Sequence, residues 1–236
     1  MAEKDDFQIA FENLCENLSH QMTFYEANYL ALPYIVKLLS RKIAEGDFSW
    51  QVNIFSEVGC CLAADIPDER SRAFEATLPP EILESYRAAE MRIKDYAKKF
   101  IVNQMKGLQL LNESTREFLL IGLLAILGNH ILAQVLILSD YDSCGLACSQ
   151  CDYYDEEVYL DDPEIQSRIV LPPTENWDGQ YLDKPQVWLP ALLSKFGGDI
   201  KLKQSLIPYL FGEYTCPECG RRAPLLDFAK QCYWGE

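Results

Sequence analysis

The chain has 236 residues, 49% of them hydrophobic and 24% charged, with twelve glycines and twelve prolines. That composition excludes disorder, collagen-like structure and low complexity, and it suits one large domain or one domain with a small appendage. Twenty-one basic against thirty-six acidic residues leave a formal charge of −15 at pH 7, which disfavours nucleic acid and anionic lipid surfaces as generic partners and favours a basic one.

The N-terminal stretch MAEKDDFQIA has no basic region followed by an apolar one, so no secretory signal is expected. Nine cysteines, an odd number containing two C-x-x-C pairs, then point to metal ligation in a reducing cytoplasm and not to a disulfide framework. Phe7, Ala10, Phe11, Leu14 and Leu18 recur at helical spacing. Thr23 with Glu26 reads as a capping box for the next helix, which carries Pro33 in its interior and ends at Gly46. A further helix is expected over about Trp50–Ala64. From Pro80 to about Lys106 the stripe Ile82, Tyr86, Ala89, Ile93, Tyr96, Phe100 makes the cleanest amphipathic helix of the chain. Asn112 or Ser114 caps the following one.

The segment Phe118–Leu138 has the length of a membrane span, but Gly128-Asn129-His130 divides it and its nearest charges are acidic. Two short buried helices, about 115–127 and 130–138, account for it better. After Tyr141 the texture changes to Cys, Asp, Tyr, Pro and Gly, with strand-like content at Glu157–Leu160 and a loop over Pro172–Asp183. Helical pattern returns at Pro185–Phe196 and about Ile200–Leu210. Hence the expected organisation is a helical domain over 1–141 and a cysteine-bearing module over 142–236 with an inserted helical hairpin.

Cys148-Ser-Gln-Cys151 and Cys216-Pro-Glu-Cys219-Gly are the strongest local signal. Zinc binds four thiolates tetrahedrally, and a two-residue spacer lets both sulfurs of a knuckle reach one ion. Gly220 suits the tight turn that follows. Four thiolates leave no open position for water, so the ion would be structural. Cys144 either competes as a ligand or flanks the site. Cys15, Cys60, Cys61 and Cys232 lie among apolar residues and read as small buried hydrophobes.

Little points to catalysis. His20 and His130 are best explained as hydrogen-bonded structural imidazoles, and no G-x-S-x-G, H-E-x-x-H, P-loop or G-x-G-x-x-G pattern occurs. A small-molecule substrate is accordingly not expected. The segment Asp152-Tyr153-Tyr154-Asp155-Glu156-Glu157-Val158-Tyr159-Leu160-Asp161-Asp162-Pro163-Glu164 carries seven acids and no base, with three tyrosines interleaved. Such a stretch either imitates nucleic acid toward a basic protein partner or is a solvated edge strand whose charges deter aggregation. Its candidate partner-binding residues are Asp152, Tyr153, Tyr154, Asp155, Glu156, Glu157, Asp161 and Asp162. The opposite sign gathers only at Arg87, Arg92, Lys94, Lys98, Lys99 and Lys106, which read as a solvent face of one helix.

His20-Gln21-x-Thr23-x-Tyr25-x-Ala27, followed by Ala31-Leu32-Pro33-Tyr34-Ile35-Val36-x-Leu38-Leu39, resembles a segment of bacterial HEAT-repeat-like proteins, and the Cys-Pro-x-Cys-Gly knuckle is similar to a tail some of them carry. The resemblance implies a mainly α fold of HEAT-like stacked helical hairpins with a small zinc-stabilised C-terminal module containing short strands. Those proteins are of mostly undefined activity, some of immunity type. With the acidic charge and the lack of a catalytic pattern, the resemblance leads to the expectation of a non-enzymatic protein-binding module, of immunity type, masking a basic toxin domain in the cytoplasm. No catalytic residues transfer. A zinc-ribbon regulatory or nucleic-acid-associated protein, and a peptide-binding scaffold, are the alternatives.

Overall fold

A computed structural model describes residues 6–20, 23–24, 27–64, 73–138, 143–173, 182, 184–196 and 207–235. It is mainly helical, with short antiparallel strands, and forms two compact units, 1–133 and 134–236. The division falls inside the helix His130–Leu138, somewhat before the change in composition.

In the first unit, α1 (Asp6–Leu18) leads through a two-residue hairpin, β1 (Ser19–His20) and β2 (Thr23–Phe24), to α2 (Asn28–Ala44). Then follow α3 (Phe48–Ala63), α4 (Pro80–Asn103), the short α5 (Met105–Leu108) and α6 (Glu113–Ile126). The helix α7 (His130–Leu138) begins after Gly128, whose φ of 93° breaks the helical path at the end of α6. The apolar run 118–138 is therefore two helices, and no helix among the described residues is long and apolar enough to cross a membrane.

Local signals place several ends. Asp47 caps α3 by accepting from the Trp50 N–H, and Asn112, not Ser114, caps α6 by accepting from Thr115. Pro80 opens α4, where a missing N–H costs nothing. Pro33 is accommodated inside α2, where it withdraws one N–H from the ladder. The expected capping box fails: Thr23 belongs to β2, α2 starts after Ala27 without a side-chain cap, and Glu26 lies outside the described residues. The Asn28 side chain instead donates to the Leu18 carbonyl (2.7 Å), tying the start of α2 to the end of α1.

The core of this unit is built on α3. Ile54 and Phe55 are fully buried, and the Phe100 ring of α4 lies 4.9 Å from Phe55 and 5.8 Å, stacked, from Phe48. On α4 the buried stripe is Tyr86, Ala89, Ile93, Ala97, Phe100 and Ile101; Tyr96 sits at its edge, donating to the Ser40 hydroxyl of α2. On α1 the buried residues are Phe11, Cys15 and Leu18, while Phe7, Ala10 and Leu14 are exposed. The expected face is rotated because Cys15 packs on α3, its carbonyl lying 3.5 Å from the Cys61 sulfur. His130 is the structural imidazole expected. Its Nδ1–H donates to the Leu62 carbonyl at 2.7 Å, and burial holds its pKa below the ordinary histidine value. Of His20 only the backbone, in β1, is described.

The helices α3 and α6 approach each other to backbone contact. A β-carbon on Gly59 would lie 2.1 Å from the Gly122 Cα, and one on Gly122 would lie 2.3 Å from the Phe55 carbonyl oxygen. Both clashes are with backbone, which no rotamer change relieves.

In the second unit, β3 (Ser143–Ala147) and β4 (Tyr154–Tyr159) form one hairpin. The chain continues through α8 (Pro163–Ser167), β5 (Ile169–Val170), α9 (Pro185–Phe196) and α10 (Ile207–Leu210). It ends in β6 (Glu213–Thr215), β7 (Arg222–Pro224) and α11 (Leu225–Trp234). The strands β5, β6 and β7 pair antiparallel in that order. All five residues of β3 are buried, and α11 packs against that strand. A β-carbon on Gly145 would meet the Cys232 sulfur at 2.5 Å, so a larger residue would force the Cys232 side chain to move. The strand pairing shifts register between Cys144 and Leu146, and the freed Gly145 N–H donates to the Tyr233 hydroxyl of α11 (2.9 Å). Of the expected helix 200–210 only Ile207–Leu210 is described, and most of the expected loop 172–183 lies outside the described residues.

Gly122→Ala should lower the unfolding free energy by about 3 kcal/mol, because overpacking against fixed backbone outweighs the gain in helix propensity of about 1 kcal/mol. Chemical denaturation checks it; a loss below about 0.5 kcal/mol, the range of an ordinary surface substitution, would mean that α3 and α6 are not in backbone contact.

Candidate metal centre

Each C-x-x-C sits at the tip of a hairpin. Residues 148–153 connect β3 to β4, and residues 216–221 connect β6 to β7. The same bond closes both loops: the Cys148 N–H donates to the Tyr153 carbonyl (2.9 Å), and the Cys216 N–H to the Arg221 carbonyl (2.8 Å). In the second loop the Gly220 N–H also returns to the Cys216 carbonyl (3.1 Å), at a φ of 73° that favours glycine.

The two tips meet. The Sγ atoms of Cys148, Cys151, Cys216 and Cys219 all lie within 4.8 Å of one another. Cys148 and Cys219 are 3.6 Å apart, as are Cys151 and Cys216, so the close pairs run across the knuckles. A tetrahedron with metal–sulfur bonds of about 2.3 Å has edges of about 3.8 Å, so these separations fit four thiolates around one ion. The knuckles stand on hairpin tips and not at helix N-termini, the setting that activates a redox C-x-x-C thiol. Among the described residues this is the one group of three or more metal-ligating side chains drawn together.

The electrostatics of the four thiols suit a cation. Burial raises the pKa of Cys148, but the Gln150 N–H, donating to its sulfur at 3.4 Å, and hydrogen bonds from Cys219, Cys151 and Cys216 bring it down to about 6. At Cys151 the Tyr153 N–H favours the thiolate, yet burial and neighbouring sulfurs push the thiol up to about 12. One negative charge is readily held, and a second in the same space is opposed. A bound divalent ion removes that opposition, since its charge exceeds the repulsion among the sulfurs.

Around the sulfurs lie residues that the sequence did not mark. Arg221 donates from Nη1 to the Ser149 hydroxyl of the other knuckle, and its guanidinium lies 5.2 Å from the centre of the Phe228 ring of α11. Tyr214, fully buried on β6, shares a phenol–phenol hydrogen bond of 3.1 Å with Tyr153 and meets Phe228 edge-on at 5.1 Å. Burial and that bond hold the Tyr214 hydroxyl protonated well above its usual pKa. Arg, Ser and Tyr are ordinary surface and turn residues, so only the meeting of the hairpins gives them these roles.

Cys144 stands apart from the four sulfurs. It is buried on β3, and burial, with Cys232 beside it, pushes its thiol up to about 12. Cys15 and Cys61 are buried as expected, whereas Cys60 and Cys232 are half-buried.

The acidic segment divides. Tyr154, Asp155, Glu156 and Glu157 are exposed on β4 with only Val158 turned inward before Tyr159. Asp152 is exposed in the first knuckle and Asp161 in the turn after β4. Two candidates have structural roles: half-buried Tyr153 is engaged with Tyr214, and Asp162 caps α8 by accepting from the Glu164 N–H (2.7 Å).

No family model matches the chain, and neither the curated proteins nor the solved structures provide a match.

Gly220→Ala should cost about 1–2 kcal/mol, the penalty of a β-carbon in the left-handed region. Thermal unfolding measures it, and an unchanged midpoint would show that the knuckle does not require this turn.

Proposed function

We propose that the chain is a non-enzymatic protein-binding module, held in its second unit by a structural zinc ion, whose acidic surface takes a basic protein partner. More narrowly, we read it as a cytoplasmic immunity-type protein that masks a basic toxin domain. The pairwise packing of α1, α2 and α6 on α3, and of α4 on α2, supports a HEAT-like arrangement of helical hairpins. Four thiolates in tetrahedral range favour zinc over harder cations, which prefer oxygen, and leave no position for a catalytic water.

The observation that carries the partner reading is β4. It pairs only with β3, so among the described residues its other edge has no strand beside it. Along that strand the carboxylates are ordered. Tyr154 donates to Glu156 (3.2 Å), Tyr159 to Glu157 (2.6 Å), and the Glu157 N–H to Asp155 (3.1 Å). Carboxylates fixed before encounter lose less freedom on binding, and a dense negative edge steers a basic surface toward it.

Cys216→Ser should abolish stoichiometric zinc and lower the melting temperature, since metal binding and folding are coupled in such sites. Metal analysis and calorimetry test it, and a variant with one zinc per chain and unchanged melting would overturn the assignment. Affinity purification from native cells at low salt should recover a basic protein released by salt. With that protein purified, the triple variant Asp155→Lys, Glu156→Lys, Glu157→Lys should bind at least about tenfold more weakly. Full affinity in the variant, or binding indifferent to salt, would refute the role of β4.

A further inference from the structure

The first unit holds a second feature, unrelated to the cysteine knuckles. A cleft of about 270 Å³ opens between α1, α3 and α6, lined by Cys15, Glu16, Ser56, Glu57, Cys60, Cys61 and Phe118. The volume falls below the roughly 300 Å³ at which sites for small organic ligands begin, and it suits one inserted side chain.

The chemistry of the lining selects the side chain. Every charged group in it is a carboxylate, Glu16 on α1 and Glu57 on α3. The negative field is felt within the cleft: burial and then Glu57 raise the Cys60 thiol to about 12. An anion is therefore excluded. Ser56, only 8% exposed, lines the same cleft with a buried hydroxyl oxygen that has no hydrogen-bond partner among the described residues. Thiols are weak acceptors and pack as small hydrophobes, so they suit an aliphatic stem. Phe118 is 53% exposed on α6, offering a ring to a flat cation. The group that these walls fit is rich in donors, positive and planar at its head, with a methylene stem. A metal ion fits less well, because these cysteines and glutamates are not drawn into a ligand cluster.

We propose that this cleft is a socket for the guanidinium of an arginine side chain presented by the basic partner, its carboxylates pairing with the head and Phe118 stacking on it. The idea rests on the protein-binding reading and gives that reading a specific anchor. A guanidinium has five N–H donors and no acceptor, which complements two carboxylates and an unsatisfied hydroxyl.

The test uses N-acetyl-arginine methylamide and its uncharged isostere, N-acetyl-citrulline methylamide, titrated by NMR into the full chain. The arginine probe should produce saturable shifts in the millimolar range, centred on Ser56, Glu57, Cys60 and Phe118, and the citrulline probe should not. The double variant Glu16→Gln, Glu57→Gln should weaken the arginine probe at least fivefold. Equal shifts with citrulline, or unsaturable shifts scattered over the acidic surface, would overturn the socket. If the variant does not fold, the comparison of the two probes on the unaltered chain still decides. A partner that binds through β4 while the arginine probe fails would remove the socket and leave the protein-binding role standing. Failure of both would remove both.

Discussion

Four sulfur atoms from two hairpins, with 64 residues between Cys151 and Cys216, converge within 4.8 Å. Closing a loop of that length costs about 4 kcal/mol of chain entropy. Among the described residues the sheets of the second unit contain two and three strands, which by themselves offset little of this. Trp188, Tyr214 and Phe228 are its large fully buried rings, and the last two already stand beside the knuckles. A metal ion held by the four thiolates would offset this: structural zinc sites contribute on the order of 10–16 kcal/mol, well above the closure cost. The Arg221–Ser149 contact and the Tyr153–Tyr214 bond then fix the angle at which one hairpin meets the other. The same closure determines where the acidic strand lies, because β4 leaves the first knuckle directly.

The first unit solves its packing problem without any such clamp. Its constraint is the crossing of α3 and α6 at Gly59 and Gly122, where backbone touches backbone and the flanking apolar residues meet across the contact. Ile54, Phe55, Leu123 and Leu124 are buried to 0% exposure around it. The helices α1 and α2 add further faces to α3, with Trp50 against Phe11, and α4 packs on α2 through Tyr86 against Tyr29 and reaches α3 through Phe100 against Phe55.

What the sequence disclosed follows from how local the signal is. The knuckles are legible because ligand spacing is a property of four consecutive residues, and α4 because its stripe repeats over about five turns. Asn112 and Gly46 act within one turn of the helices that they bound. The buried face of α1 turns toward Cys15 because that residue packs on Cys61, forty-six positions away, a contact that the spacing of Phe7, Ala10, Phe11, Leu14 and Leu18 does not register. Thr23 carries a capping pattern, but pairing with Ser19–His20 takes the backbone into a strand instead. Gly59 and Gly122 lie sixty-three positions apart, so each alone looks like a tolerated helix glycine. Arg221 and Tyr214 likewise gain their roles only from partners on the other hairpin.

The distribution of charge bears on function more than its sum. An edge strand protected from aggregation needs only solvated charge, preferably pointing in many directions. On β4 the carboxylates of Glu156 and Glu157 are instead each held by a tyrosine two residues away on the same face of the strand. Holding a carboxylate costs side-chain entropy that solubility alone does not require. A surface that meets a basic partner recovers this cost at binding, because the groups are already in place. In the proposed role the tyrosines would serve twice, ordering the acids and leaving exposed rings beside them for arginine or lysine stems. On this view the tyrosines that space the acidic run are part of its recognition chemistry.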